Sequence, residues 1–315
     1  DIFVSIGLIA LVLGAVLLSA TLADMPEARL RAGRPVIDLK WLLPPLLAIW
    51  GAAEFFVRRR RMALPAILLG IDFMLLSWVA AAAFVERVWL PAQGLGSLND
   101  LALGHRSALP EAAYGVLQSA AWWAAAVVAA ANLLFAWRQR VPVSVALALS
   151  GLIFPLLADA SLLQQDPVWA QAHIPLPEIK ARLAVLGVLA FGAALACDLS
   201  DRKRKTLRAD VAFWLHLLAS GLLLPVAFAT TTDWPMPELA AALLLYAGVL
   251  FAAILLDRRA PLLVGLPFLV AALNTAGLGG SAGLLAVCAV LTACGLYWEK
   301  LRALLLIERP APAAT

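Results

Sequence analysis

A chain of 315 residues with 63% hydrophobic content, 14% charged residues and a mean hydropathy of +0.92 lies outside the composition of soluble globular domains. Its net charge of +4 is spread through short clusters between apolar runs, a pattern of membrane orientation and anionic-lipid contact that argues against nucleic acid as a partner. The three cysteines, Cys197, Cys288 and Cys294, fit neither a zinc ligand pair nor a secreted disulfide framework and read as small buried apolar residues.

Ten apolar segments follow one another at approximately 2–23, 40–57, 62–84, 112–136, 142–163, 179–198, 210–230, 237–256, 260–277 and 282–300. About 20 apolar residues cross a hydrocarbon core about 30 Å thick. The segments are continuously apolar rather than alternating, so helices rather than barrel strands are expected. The fold class read from this pattern is an all-α polytopic integral membrane protein of about ten transmembrane helices. The first segment lacks a basic leader and reads as a spanning helix rather than a signal peptide. Because the chain opens at Asp1 rather than Met, a preceding soluble portion is compatible with it.

Every second gap carries a basic cluster: Arg58 to Arg61, Arg138 with Arg140, Arg202 to Lys205 with Arg208, Arg258 with Arg259, and Lys300 with Arg302. Placing these gaps in the cytoplasm puts both termini inside, together with 16 of the 24 Lys/Arg. The gap 24–39 resists, since Arg29, Arg31 and Arg34 then lie outside, partly balanced by Asp24, Glu27 and Asp38. Tryptophans 41, 89, 137, 169, 234 and 298 fall near the expected interfaces, where the amphipathic indole is favoured.

The layout divides into a first five-helix half (1–163), an extracytoplasmic linker (164–178), a second five-helix half (179–300) and a cytoplasmic tail (301–315). Two such halves would have opposite orientations, a frequent transporter plan. Ten helices, about 300 residues and internal termini resemble the layout of the drug/metabolite transporter superfamily. The resemblance is architectural, implies a transport function and carries no residue across.

No catalytic, metal or nucleotide motif stands out, so the informative residues are polar groups within apolar segments. Asp72 lies at the centre of Leu68-Leu69-Gly70-Ile71-Asp72-Phe73-Met74-Leu75-Leu76, too deep to snorkel. It is either a protonated interhelical hydrogen-bonder or a coupling or binding carboxylate. His216 shares a helical face with Phe213 and Ser220 and is either a neutral hydrogen-bonder or a proton relay. A single intramembrane histidine is too little for haem or zinc, and no cofactor is expected. Asp159 follows Pro155 near the outer end of its segment, and Glu54 precedes Arg58 by one helical turn, which an i,i+4 pair explains. Asn132 and Asn274 suit helix-to-helix hydrogen bonds, although Asn274 opens a flexible run ending Gly279-Gly280-Ser281. Prolines 44, 45, 155, 225 and 267 sit in or at the ends of helices and can free carbonyls for a ligand or serve packing alone. Arg202, Lys203, Arg204 and Lys205 are placed to meet lipid headgroups.

Three functions fit these features. The first is a proton-coupled secondary transporter of a small or amphipathic solute, with Asp72, His216, Asp159, Glu54 and Asn274 as path candidates. The second is a non-catalytic membrane subunit, scaffold or sensor with a protein partner or a second copy of itself. The third is a membrane enzyme acting on a lipid, for which the outer gaps offer Asp100, His105, Arg106, Glu111, Asp166 and His173 in no recognised spacing. The high Ala, Leu and Arg content suggests a bacterial inner membrane.

Overall fold

A computed structural model describes residues 39–93, 111–157, 176–201, 206–229, 238–258, 260–275 and 295–306, with isolated positions at 7, 285, 288, 289, 292 and 293. All regular structure among them is helical, and no strand is present among the described residues. The helices are α1 (Leu39–Ala52), α2 (Ala63–Phe84), α3 (Glu111–Gln139), α4 (Val143–Ser150), α5 (Ile153–Leu157), α6 (Leu176–Ser200), α7 (Leu207–Ala229), α8 (Glu238–Leu256), α9 (Ala260–Thr275) and α10 (Trp298–Leu306). Helix α1 widens into a π-helical stretch over Ala53–Arg59, and α2 runs through another at Val85–Trp89 into Leu90–Ala92.

Among the described residues, four helices are long and apolar enough to cross a membrane: Ala63–Ala92, Gly115–Gln139, Lys180–Ser200 and Leu207–Phe228. Their mean hydropathies run from 1.6 to 2.1, and large apolar side chains such as Leu47, Trp123, Val127 and Leu189 point outward. An apolar exterior over an all-helical backbone fits a helical membrane protein, because hydrocarbon offers backbone amides no partner outside the helix. Ala240–Leu256 and Val264–Asn274 are apolar but shorter. The predicted segment 142–163 is interrupted: α4 ends at Ser150, and Gly151 and Leu152 form a turn before α5. Pro155 accounts for the break, since its ring clashes with the carbonyl four residues back, at Gly151, and it has no N–H to give. Pro225 and Pro267 leave α7 and α9 continuous.

The chain forms two compact units, Asp1–Arg182 and Leu183–Thr315, with the division falling inside α6. In the first, α2 packs on α1, α3 and α4, and α3 packs on α4 and α5. Phe73 and Phe135 stack at 4.5 Å, and Trp50 meets both edge-on at 5.9 and 5.6 Å. Ala81, Ala120 and Ala124 let α2 and α3 approach beside Val85, Leu90 and Val128, the small-residue packing typical of membrane helices. In the second unit α9 packs on both α7 and α8, with Phe228 stacked on Phe268 at 5.2 Å.

Three helix ends close by the same device. Arg61, Arg140 and Asp257 adopt left-handed backbone, with φ of 56°, 58° and 53°. The next amide then turns back to a carbonyl of the last turn: Met62 to Phe56 at 3.1 Å, Val141 to Ala136 at 3.3 Å and Arg258 to Ala253 at 2.9 Å. This satisfies carbonyls that the helix itself leaves open. A proline follows within four residues each time, at Pro65, Pro142 and Pro261, in or beside the first turn of the next helix, where a missing N–H costs nothing. At Arg140, a valine raises the left-handed backbone cost by about 1 kcal/mol while a glycine removes it. Arg140→Val is therefore expected to lower the unfolding midpoint in detergent micelles and Arg140→Gly to preserve it. Equal losses in both variants would show that the arginine side chain, not the backbone, matters there.

Candidate functional site

Asp198, His216 and Arg258 come together from three elements of the second unit. Asp198 lies in the last turn of α6. His216 lies on α7, which Thr206 caps by accepting the Arg208 amide at its Oγ1, 3.3 Å away. Asp201 holds that cap in turn, accepting from the Thr206 amide at 2.8 Å and from its hydroxyl at 2.7 Å. Helices α6 and α7 meet very closely at Gly187, where a Cβ would lie 2.7 Å from Leu223 Cγ. One turn further along α6, Phe191 meets the His216 ring edge-on at 5.5 Å.

Arg258 arrives from the α8–α9 turn. The left-handed Asp257 makes two adjacent side chains diverge. Asp257 Oδ1 accepts from Trp298 Nε1 at 3.0 Å, and Arg258 turns to Asp198. Arg258 Nε donates to Asp198 Oδ2 at 3.2 Å, and its Nη2 donates to Oδ1. His216 Nε2 lies 2.9 Å from the same Oδ2. An ionised carboxylate only accepts, so the imidazole presents its Nε2–H to it. The His216 side chain is 1% exposed, Arg258 9% and Asp198 17%. The cluster is thus a shielded ion pair with a titratable ring against it. Such an arrangement fixes one imidazole tautomer and can hold or release a proton at Nδ1 or at the shared carboxylate.

The first unit has a wetter cluster around Glu54. Arg58 Nη1 donates to its Oε1 at 2.9 Å, the expected pair one turn apart. Arg138 and Gln139 at the end of α3 also reach it, at 3.2 Å for the Arg138 ion pair and 3.4 Å from Gln139 Nε2. Glu54 therefore ties the end of α1 to the end of α3. Asp72 is different. It is half-buried on α2, at the boundary between buried Leu69, Phe73 and Leu76 and exposed Ile71 and Leu75. No side chain among the described residues hydrogen-bonds or pairs with it. Asn132 is fully buried and donates to its own helix, at Val128 O, 2.9 Å away. Asn274 is exposed near the end of α9. Asp159 and Arg202, Lys203, Arg204 and Lys205 lie outside the described residues.

Sequence reasoning singled out His216 and missed Asp198 and Arg258. Asp198 closes an apolar segment, where an acid normally reaches water, and Arg258 read as an orientation charge. The available signal was an acid, an imidazole and an arginine at the same expected end of successive helices. No group of three or more His, Cys, Asp or Glu suited to a metal occurs among the described residues.

Burial separates the two clusters energetically. Asp198→Asn leaves a shielded guanidinium without its countercharge, a loss of about 3–5 kcal/mol, whereas Glu54→Gln touches a half-exposed pair and costs about 0–1 kcal/mol. The double variant Asp198→Asn/Arg258→Gln is expected to recover more than half of the first loss. Unfolding titrations of the purified protein in micelles measure all three. An Asp198→Asn loss no larger than that of Glu54→Gln would rule out a shielded pair.

Comparison with protein-family models, with characterised proteins and with solved structures finds no match to this chain.

Proposed function

We propose that the chain is a proton-coupled secondary transporter of a small or amphipathic solute, embedded in a bacterial inner membrane with about ten helices, internal termini and two inverted halves. The observation that carries this reading is Asp72. It sits about 13 Å along the axis from Ala63 within the apolar helix Ala63–Ala92, half-buried and unpaired among the described residues. A charge so placed costs about 2.5–3.5 kcal/mol on insertion scales. A helix needed only for packing gains nothing from that cost. A carboxylate that must take up and release a proton or a cationic group requires it. His216, with its carboxylate and guanidinium, supplies a second protonatable centre in the other unit.

A second reading, a non-catalytic subunit or scaffold with a protein partner, is favoured by the pairing of Glu54 and Asp198 within their own units, since mutual satisfaction is all that a structural bundle needs. Stoichiometric co-purification of another chain in mild detergent would support it over transport.

The test of transport uses vesicles containing the reconstituted protein, a trapped pH-sensitive dye and a panel of amphipathic solutes. Asp72→Asn is expected to abolish solute-driven proton flux while membrane insertion and the size-exclusion profile stay as in the wild type. Unchanged flux in that variant removes Asp72 from the mechanism.

A further inference from the structure

We infer that the α3–α4 turn is a recessed seat for one anionic phospholipid, with the phosphate on Arg138 and Arg140 and the acyl chains along Leu134 and Trp137. The inference rests on the chain lying in a membrane and is independent of transport and of Asp72.

Two turns at this end of the first unit stand at different levels. The α1–α2 turn ends at Met62, and Gly70 lies seven residues beyond Ala63 in α2, about 10 Å along its axis. Val141, Val143 and Ser144 pack against Gly70, where a Cβ would meet them at 3.4, 3.1 and 3.0 Å. The α3–α4 turn is thus set back from the α1–α2 turn by about 10 Å. A headgroup layer is only about 5–8 Å deep on each side of the hydrocarbon. With the α1–α2 turn at the water, the α3–α4 turn reaches the top of the hydrocarbon. With the α3–α4 turn among the headgroups, the α1–α2 turn projects into water. Both placements put lipid phosphate within reach of Arg138 and Arg140.

The charges at this step call for such an anion. Residues 53–62 and 134–142 carry six arginines and a single acid, Glu54. That carboxylate is already shared among Arg58, Arg138 and Gln139. Arg138 is held loosely by it. Its Nη2 donates at 3.4 Å, and its Nη1, 3.2 Å from Oε2, makes no hydrogen bond among the described residues. Arg140 is exposed and has no ion pair among the described residues. Guanidinium groups bind phosphate through paired N–H donors.

Helix α3 supplies the apolar half of the seat. Leu134 and Arg138 are one helical turn apart on one face. Leu134 is 52% exposed, and Trp137 beside Arg138 is 77% exposed. An outward apolar surface that runs straight up to a guanidinium matches a ligand with both a phosphate and hydrocarbon tails. An indole at that junction is favoured by its own amphipathic character.

The experiment places a bimane fluorophore on Leu133→Cys, an exposed position on α3 next to Leu134, in the full chain with its native cysteines replaced. The protein is reconstituted in phosphatidylcholine vesicles, and quenching by acyl-brominated phosphatidylglycerol is compared with quenching by acyl-brominated phosphatidylcholine. Phosphatidylglycerol is expected to be preferred about 25-fold, at about fivefold for each arginine, the worth of one basic residue at an anionic surface. Arg138→Gln and Arg140→Gln are each expected to remove one such factor. Arg59→Gln/Arg61→Gln takes two charges from the projecting turn, about a Debye length away, and is expected to change the preference less than about twofold. Equal losses in that variant and in Arg138→Gln/Arg140→Gln would leave only a diffuse field and overturn the seat. Equal quenching by the two lipids overturns it as well. Reversal of the quenching by inorganic phosphate would mark a soluble-anion site instead and also overturns it. If Arg138→Gln fails to insert, Arg140→Gln decides alone, since glutamine bears the same backbone cost as arginine at that exposed position.

Discussion

Every charged group in a helical membrane protein faces the same constraint: hydrocarbon supplies neither counterions nor hydrogen bonds, so the chain must. Three acids among the described residues meet it differently. Glu54 is shared by Arg58, Arg138 and Gln139 at the ends of α1 and α3, where water and screening still reach. Asp198 is shared by Arg258 and His216, with far less solvent. Asp72 has no partner among the described residues. The first arrangement contributes little energy in either direction. The second is worth little net but punishes removal of one member.

The shielded cluster depends on backbone geometry set elsewhere. Helices α6 and α7 can bring Asp198 to His216 because Gly187 has no Cβ where Leu223 packs. Any larger residue there would push the helices apart by several tenths of an ångström or force Leu223 off its rotamer. A hydrogen bond of 2.9 Å at His216 Nε2 has little tolerance for such a shift. The third member is placed by the opposite expedient, a strained residue rather than a permissive one: Asp257 at φ 53°.

The sequence made the helical architecture legible because twenty-residue apolar runs have few alternatives in folding space. Segments 62–84, 112–136, 179–198, 210–230 and 237–256 correspond to α2, α3, α6, α7 and α8 within a few residues. The Glu54–Arg58 pair was legible too, since one helical turn brings i and i+4 together whatever the tertiary fold. What was not legible required contact between elements distant in the chain. Asp198 and Arg258 are sixty residues apart, and each alone has an ordinary explanation at a helix end. Trp298 looked like an interfacial indole, yet it is 2% exposed and donates to Asp257. Hydropathy cannot tell an indole that faces headgroups from one that faces a carboxylate of its own bundle. The break at Gly151 was visible only as Pro155, whose effect falls four residues upstream.

The left-handed residue at Asp257 shows how local cost and tertiary gain are matched. Glycine would take φ 53° without penalty, and aspartate takes it more readily than most residues because its short side chain can bond nearby. Arg61 and Arg140 bear the larger cost at their own turns, and their positions suit the charge bias of those gaps. At 257 a glycine would relieve the backbone but remove the Oδ1 that accepts from the buried Trp298 indole, a loss of about 1–3 kcal/mol. The acid is therefore favoured over glycine even at a glycine-like conformation. Its preference is set by α10, a contact the local sequence does not contain. The same turn presents the next residue, Arg258, to Asp198, so one strained position orients two charged side chains toward two different helices.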